Sequence, residues 1–317
     1  MSGRLTPNAN DANVLQRIGD RARVELARAY GRQPFIGRAK RWLYARLSGS
    51  LPGLNRPCVV PTSLTLGSER VRLWLDAHAS VGLEATMFGR YEPESMGRLL
   101  SLAGKVSSDA PTFFDIGANI GFYSIGFALA RPNARVIAFE PGPAAATLCA
   151  RNIDAVGQRL RQRHSSIELV QAAVSEKTGE ATFSVSADAG HSSLVEVENF
   201  QSATITVKTV SGDQVAAERQ IDRVDVCKID VEGAELDVLR GMRGLLERGA
   251  ISLLQVEVNR PLWARSGRTA NNLMQLMTPL GYSLLGEQRR FLRSDDWAIE
   301  DFIFFAPAFR SLAEEPA

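Results

Sequence analysis

The sequence predicts an α/β fold: a Rossmann-like, mostly parallel sheet with helices on both faces, entered through an N-terminal helical and small β extension. Three observations predict it. From about Pro93 onward, short apolar runs alternate with segments of helical periodicity. The first run, at 112–116, carries Asp115 at its end and is followed by glycines at 117 and 121, the pattern of a tight strand-to-helix turn. The second run ends in another acid, Glu140, ahead of Pro141.

In chain order, the segment 13–47 spaces Val14, Leu15, Ile18, Val24, Leu26 and then Ile36, Trp42, Leu43, Leu47 at roughly helical intervals. Its outer faces are arginine-rich and suit either a solvated helical cap or contact with an anionic membrane surface or acidic acceptor. Pro52, Gly53 and Pro57 mark a linker. Residues 58–92 alternate in short runs (Leu64, Leu66, Val71, Leu73, Leu75), as a hairpin or small sheet does. The domain from 93 to 317 follows. Strands are expected at 112–116, 135–140, 167–174, 224–229 and 252–258, with helices at 123–130, 144–156, 235–247 and 271–279. Runs at 182–185 and 204–210 read as an inserted hairpin, and 282–285 and 302–306 as closing strands.

Composition sets the class. With 45% apolar and 23% charged residues, the 317-residue chain is an ordinary globular protein. Cys58, Cys149 and Cys227 lack metal-ligand spacing and read as small hydrophobes in a reducing compartment. No apolar run is long enough to span a bilayer, and the N-terminus lacks a secretory apolar core, so a cytoplasmic location is expected, peripheral to the inner membrane face if 13–47 binds it. Residues 1–57 hold ten Arg and one Lys against Asp11, Asp20 and Glu25, a surplus of eight positive charges. Since the whole chain is +2, the remainder is −6.

The stretch Phe113 to Tyr123 is the most informative. A dinucleotide fingerprint needs Gly-x-Gly-x-x-Gly, but here Asn119 takes the middle position and no pyrophosphate cradle forms. That disfavours a nicotinamide-type oxidoreductase. Asp115 suits a ligand with positive charge, such as an amino group or sulfonium. Glu140, 25 residues later, can accept hydrogen bonds from both ribose hydroxyls of an adenosine moiety. Ala172 and Ala173, ending the third strand, leave room for a ring, and Asn152 is either a ligand group or a surface amide.

These residues resemble the FkbM family of S-adenosylmethionine-dependent methyltransferases. The likeness runs through Tyr91-Glu92-Pro93-Glu94, Asp115 to Tyr123, Phe139-Glu140-Pro141, Ala173-Val174-Ser175, Ser192-Ser193-Leu194 and Lys228 to Glu235. It covers roughly 89 to 305. Asn119 in the glycine turn is usual for that family, whereas His191 is less typical. The resemblance implies the class I methyltransferase sheet, seven strands with the last antiparallel, and O-methylation of sugars, glycolipids, polysaccharides or natural products. It also implies S-adenosyl-L-methionine as cofactor. The cofactor set is then Glu92, Asp115, Gly117, Asn119, Gly121, Tyr123, Glu140, Pro141, Ala173, Val174 and Asp230.

A hydroxyl becomes a nucleophile only when something takes its proton. Asp230 and Glu232 lie on a strand-to-helix turn, with Glu257 at the next strand end, and each is a candidate base or acceptor-orienting group. His191 is a fourth. Glu232 and Glu235 also have a purely structural use at the following helix N-terminus. Asp230, Glu257 and Asn259 offer hard oxygens that suit Mg²⁺, but without a contiguous acidic pair a metal is not favoured. Nucleic-acid methylation is a further alternative prompted by the basic front. Against it stand the net acidic remainder, the missing Asn/Asp-Pro-Pro-Tyr/Phe motif and an aromatic content of 7%. The expected partner is a small-molecule or glycan acceptor.

Overall fold

The structure is a computed structural model that describes residues 57–77, 79–185, 203–292 and 297–314. The basic segment, including the helices expected at 13–47, lies outside the described residues, as do His191 and Ser192–Leu194. The chain divides into two units, one holding residues through Tyr91 apart from Leu66–Glu69, the other holding Leu66–Glu69 and everything from Glu92 on.

In the first unit, strands β1 (Val59–Leu66) and β2 (Glu69–Asp76) form a two-stranded sheet. Alternation buries Leu64, Val71, Leu73 and Leu75 on one face, as the period-2 pattern requires. Helix α1 (Ser80–Phe88), not expected from the sequence, ends at Gly89 in the left-handed conformation.

The second unit opens with α2 (Pro93–Val106), whose proline occupies the first turn, where no amide partner is lost. There follow β3 (Thr112–Ile116), α3 (Phe122–Ala130), β4 (Arg135–Phe139), α4 (Pro143–Gln162) and β5 (Ser166–Val170). Next come β6 (Ala173–Val174), β7 (Gly179–Val185), β8 (Ala203–Val210) and α5 (Gly212–Glu218). The chain continues through β9 (Val224–Ile229), α6 (Glu235–Arg240), α7 (Arg243–Glu247), β10 (Ile251–Asn259), α8 (Arg260–Arg265) and α9 (Ala270–Met277). It closes with β11 (Ser283–Leu284) and β12 (Ile299–Phe305).

Seven strands form the main sheet in the order β11-β12-β10-β9-β3-β4-β5. Pairings within β10-β9-β3-β4-β5 are parallel, and β12 runs antiparallel to both neighbours. All six residues of β9 are buried, so helices cover both faces. This is the class I methyltransferase-like α/β arrangement expected from the resemblance.

Three expectations needed correction. The run 167–174 is two strands, because the Val170 carbonyl accepts from both Glu140 and Ala172, and the chain then leaves the main sheet. β6 pairs in parallel with β8, which with β7 makes a separate three-stranded sheet around the expected hairpin. The helix 235–247 is broken at Gly241, whose carbonyl is taken by the Asp213 amide and whose missing Cβ would lie 2.0 Å from the Ser175 carbonyl oxygen. Helix α4 runs six residues past Val156, ending on Arg159 and Arg161, which its C-terminal dipole favours.

Candidate active site

Open α/β sheets gather ligands at the carboxyl ends of their strands, and here the functional side chains cluster at the ends of β3, β4, β9 and β10. The turn after β3 is fixed by its own backbone. Gly117 and Ala118 amides both donate to the Phe139 carbonyl, at 3.0 and 2.9 Å, and Gly121 donates to Ala118. Gly117 (φ 86°) admits no side chain, since a Cβ would sit 1.8 Å from the Asp230 carbonyl oxygen. Asn119 (φ 49°) turns its amide onto Glu140 Oε2 at 2.9 Å, and Glu140 Oε1 accepts from Gly142 at 2.7 Å. Asn152 is neither a ligand group nor a surface amide. It is fully buried and donates from Nδ2 to the Ile120 carbonyl at 3.0 Å, tying α4 to the turn.

Asp115 and Glu140 are both buried, close enough that the Asp115 charge is felt at Glu140. Burial raises the Asp115 carboxyl above the usual range, against the pull of Lys228 and of Ser124 Oγ, which donates at 2.6 Å. Burial likewise carries Glu140 up to about 7, despite its two backbone donors. Pro141 is half-buried beside it. Two of the expected cofactor residues are placed differently. Val174 packs into the main core, and Ala173 against Phe183 and Val207, so their side chains serve apolar packing and are not offered to a ligand.

Strand register builds the rest. Asp115 pairs with Lys228 and Lys228 with Gln255 across β3, β9 and β10, so the three side chains share one face of the sheet. Helices α2 and α3 meet this polar row. Gln255 Nε2 donates to Ser95 Oγ at 3.0 Å, and Ser95 donates to Asp301 Oδ2 at 2.5 Å. The Tyr123 hydroxyl lies 2.8 Å from Glu92 Oε2 and 2.9 Å from Ser95 Oγ, bringing the expected pair Glu92 and Tyr123 together. Burial pushes the Tyr123 phenol up, so it stays protonated.

Lys228 is the residue that sequence reasoning missed. It sits within an apolar strand and is only 2% exposed. Its Nζ donates to Asp230 Oδ2 at 2.6 Å and lies 4.5 Å from the Tyr123 ring centroid. Burial opposes its charge, but Asp230, Tyr123, Glu257 and Glu92 outweigh burial and hold it well above the ordinary lysine range. The motif spacing, a lysine two residues before a strand-end acid, was the only signal for it.

Around that ammonium, carboxylate oxygens of Asp230, Glu232 and Glu257 all lie within 4.8 Å of one another. The three expected acids thus meet in one cluster. Burial first, then Asp230, lifts Glu232 to about 8, while Asp230 first, then burial, pushes Glu257 upward. Asn259 is no cation ligand: its Oδ1 caps α8 through Leu262 and its Nδ2 donates to Glu232 Oε2 at 3.3 Å. The spacing of the three oxygens is one a cation can bridge, and the Lys228 ammonium is the cation already at Asp230. Glu235 is structural, buried, and accepts from the Gly233 amide at 2.8 Å and from Trp263 Nε1 at 2.6 Å.

Comparison with known proteins bears on the family. A family model described as the methyltransferase FkbM domain matches residues 115–284, narrower at both ends than the likeness read from the motifs. The chain is 29% identical over 150 residues to the hexuronic acid methyltransferase AglP of Haloferax volcanii, covering 46% of this chain and 55% of that protein. It is 29% identical over 153 residues to the 2-O-methyltransferase NoeI of Sinorhizobium fredii, covering 44% and 60%. A third relative, methyltransferase sdnD of Sordaria araneosa, is 28% identical over 162 residues, covering 42% and 60%. The chain therefore spans only a little over half the length of these relatives. Among solved structures it is similar to the methyltransferase FkbM of Methylobacillus flagellatus, at 15% identity and a TM-score of 0.41 over 71% of this chain and 54% of that one. So loose a likeness adds nothing to the strand order.

Proposed function

The chain belongs to the FkbM methyltransferase family, and from that premise we propose that it transfers a methyl group from S-adenosylmethionine to a hydroxyl of a sugar, glycolipid, polysaccharide or natural product. The observation that carries this reading is the Asp230, Glu232, Glu257 cluster, set on the same sheet edge as the buried pair Asp115 and Glu140. The names of two relatives support the acceptor class, a hexuronic acid for one and a 2-O position for the other.

The residues suit a cationic nucleoside. Glu140 is satisfied by backbone amides and Asp115 by a serine hydroxyl, so an ammonium or sulfonium would supply the counter-charge that this end of the site wants. Glycine at 117, closely backed by the Asp230 carbonyl, keeps the turn flat beneath such a ligand. When bound, S-adenosylmethionine supplies an electrophilic methyl group. Asp115 then faces the amino acid end and Glu140 the ribose, while Glu92 and Tyr123 close the side. The acid cluster orients the acceptor and removes its proton. This reading invokes no resident metal: Lys228 brings positive charge to the cluster through Asp230.

Calorimetric titration with S-adenosylhomocysteine and with NAD tests the donor. Tight binding of the first and none of the second is expected, and Asp115→Ala or Glu140→Ala should abolish it while the fold survives. Donor binding unchanged in either variant would refute the site. Transfer of labelled methyl to methyl glucuronoside, undiminished by EDTA, tests the acceptor class and the metal-free reading. Among the described residues no helix is long and apolar enough to cross a membrane. The basic segment 13–47 supports peripheral placement by charge alone, which co-sedimentation with anionic vesicles checks.

A further inference from the structure

We propose that Lys228 is a positioning residue that selects Asp230, among the three clustered carboxylates, as the group that takes the acceptor's proton. The inference rests on the methyl-transfer reading and deepens it by choosing between bases the sequence leaves equal.

Lys228 cannot wander. Its side chain is 3% exposed against 23% for Asp230. It is sandwiched in strand register between Asp115 and Gln255, with the Tyr123 ring over its ammonium. That ring is itself tied down by Glu92 at 2.8 Å. Asp230 is the carboxylate with which Lys228 pairs. The grip is on Oδ2, and among the described residues no hydrogen bond engages Oδ1. Asp230 is thus held from behind through one oxygen, the more exposed partner of the pair, with its second oxygen available to a ligand.

The charge count points the same way. Three carboxylates within 4.8 Å cannot all ionise beside one ammonium in a half-buried site. The negative charge settles on the acid that touches the ammonium. Glu232 and Glu257, both pushed upward, then carry protons at neutral pH and serve as donors to the acceptor's oxygens. In the step itself the acceptor O–H bond breaks toward Asp230 and its electron pair remains on oxygen, which forms the new bond to the methyl carbon. The carbon–sulfur pair stays with sulfur, and the proton arrives on Asp230 Oδ1 and leaves to water. Donor charge and acceptor proton are thereby both accounted for.

Infrared spectroscopy of the full chain at pH 7 tests this without any acceptor. The carbonyl stretch of a protonated carboxyl should be present in the wild type and diminished in Glu257→Gln and in Glu232→Gln. In Lys228→Met a new protonated band should appear that Asp230→Asn then removes. S-adenosylhomocysteine affinity in Lys228→Met should stay within about threefold of the parent, while kcat with methyl glucuronoside falls by about a hundredfold. Should Lys228→Met fail to fold, Glu257→Gln and Glu232→Gln in the otherwise intact chain decide the matter. A wild-type protonated band that neither Glu257→Gln nor Glu232→Gln diminishes, or a Lys228→Met spectrum identical to the parent in a folded protein, overturns the proposal. Loss of S-adenosylhomocysteine binding by the wild type would instead sink the functional reading beneath it.

Discussion

Two strand-to-helix turns share one edge of the sheet, and they are built on opposite principles. The turn after β3 carries left-handed backbone at Gly117, Asn119 and Gly121, and the turn after β9 carries it at Glu232 and Gly233. The first is closed mainly by backbone amides and carbonyls, within it and on the neighbouring strand end, with Glu140 and Asn152 adding one side-chain bond each. The second is closed by side chains from far along the chain: Asn259 to Glu232, Trp263 to Glu235, and Arg268 Nη1 to the Gly233 carbonyl at 2.6 Å. A turn that holds itself can offer its acids to a ligand. A turn held by others can place several acids together at distances that local backbone would not tolerate, and Lys228 at its base offsets their repulsion.

The sharpest way to break this contrast is Gly117→Ala. A Cβ at φ 86° is strained in its own right, and it would meet the Asp230 carbonyl oxygen at 1.8 Å, pressing one turn into the other. Since backbone cannot swing aside as a side chain does, we expect destabilisation above about 4 kcal/mol and no detectable S-adenosylhomocysteine binding. A melting temperature near the parent's would show that the turns are not in contact as described.

Next in size is a pH effect belonging to the first turn. Glu140, carried by burial to about 7 from an ordinary 4.5, binds its proton more tightly folded than unfolded. Its contribution is therefore complete below 4.5 and lost as pH rises through about 7. At roughly 1.4 kcal/mol per unit, it favours the fold at pH 5 over pH 8 by about 3 kcal/mol. Denaturant titrations of wild type and Glu140→Gln at both values isolate it. The slope should be shallower in the variant, and equal slopes would mean the carboxyl is ionised in the fold.

The same contrast explains what the sequence made legible. The first turn, its two acids and the strand and helix that flank it followed from glycine spacing and period, because its left-handed backbone is written in the glycines themselves. Asp230, Glu232 and Glu257 were legible as separate candidates, since acids at strand ends stand out. Their convergence was not, because it depends on register between β9 and β10 and on Asn259 reaching back 27 residues. Lys228 and Gln255 were hidden for a related reason: each is a buried polar position within a mostly apolar strand, and only pairing aligns them under α2 and α3. Helices α5 and α8 did carry cap signals, Ser211 onto Gln214 and Asn259 onto Leu262, but each spans only seven or six residues, too few to show a period.

Trp263→Phe probes the second turn through its hidden support. Trp263 is fully buried, and its Nε1 is one of the donors that make a buried Glu235 tolerable. Phenylalanine keeps most of the packing and removes the donor. About 1–3 kcal/mol should be lost, with S-adenosylhomocysteine affinity little changed because the first turn is untouched. A fall in that affinity matching the Glu140→Ala variant would make the two turns one cooperative unit instead of two.

The smallest effect should come from Asn259→Ala, and it discriminates most finely. The side chain does two things: Oδ1 accepts from the Leu262 amide at the start of α8, and Nδ2 donates to Glu232. Loss of the cap removes about 1 kcal/mol, an effect that Asn259→Ser, which also caps, should largely restore. The bond to Glu232 is long at 3.3 Å and contributes little stability. Its role is aim, since Glu232 sits in left-handed backbone and needs a tether to face Asp230 and Glu257. Asn259→Ser should therefore recover melting temperature while leaving the acid cluster disordered, read as a higher KM for methyl glucuronoside with kcat nearly intact. Recovery of both together would reduce Asn259 to a helix cap.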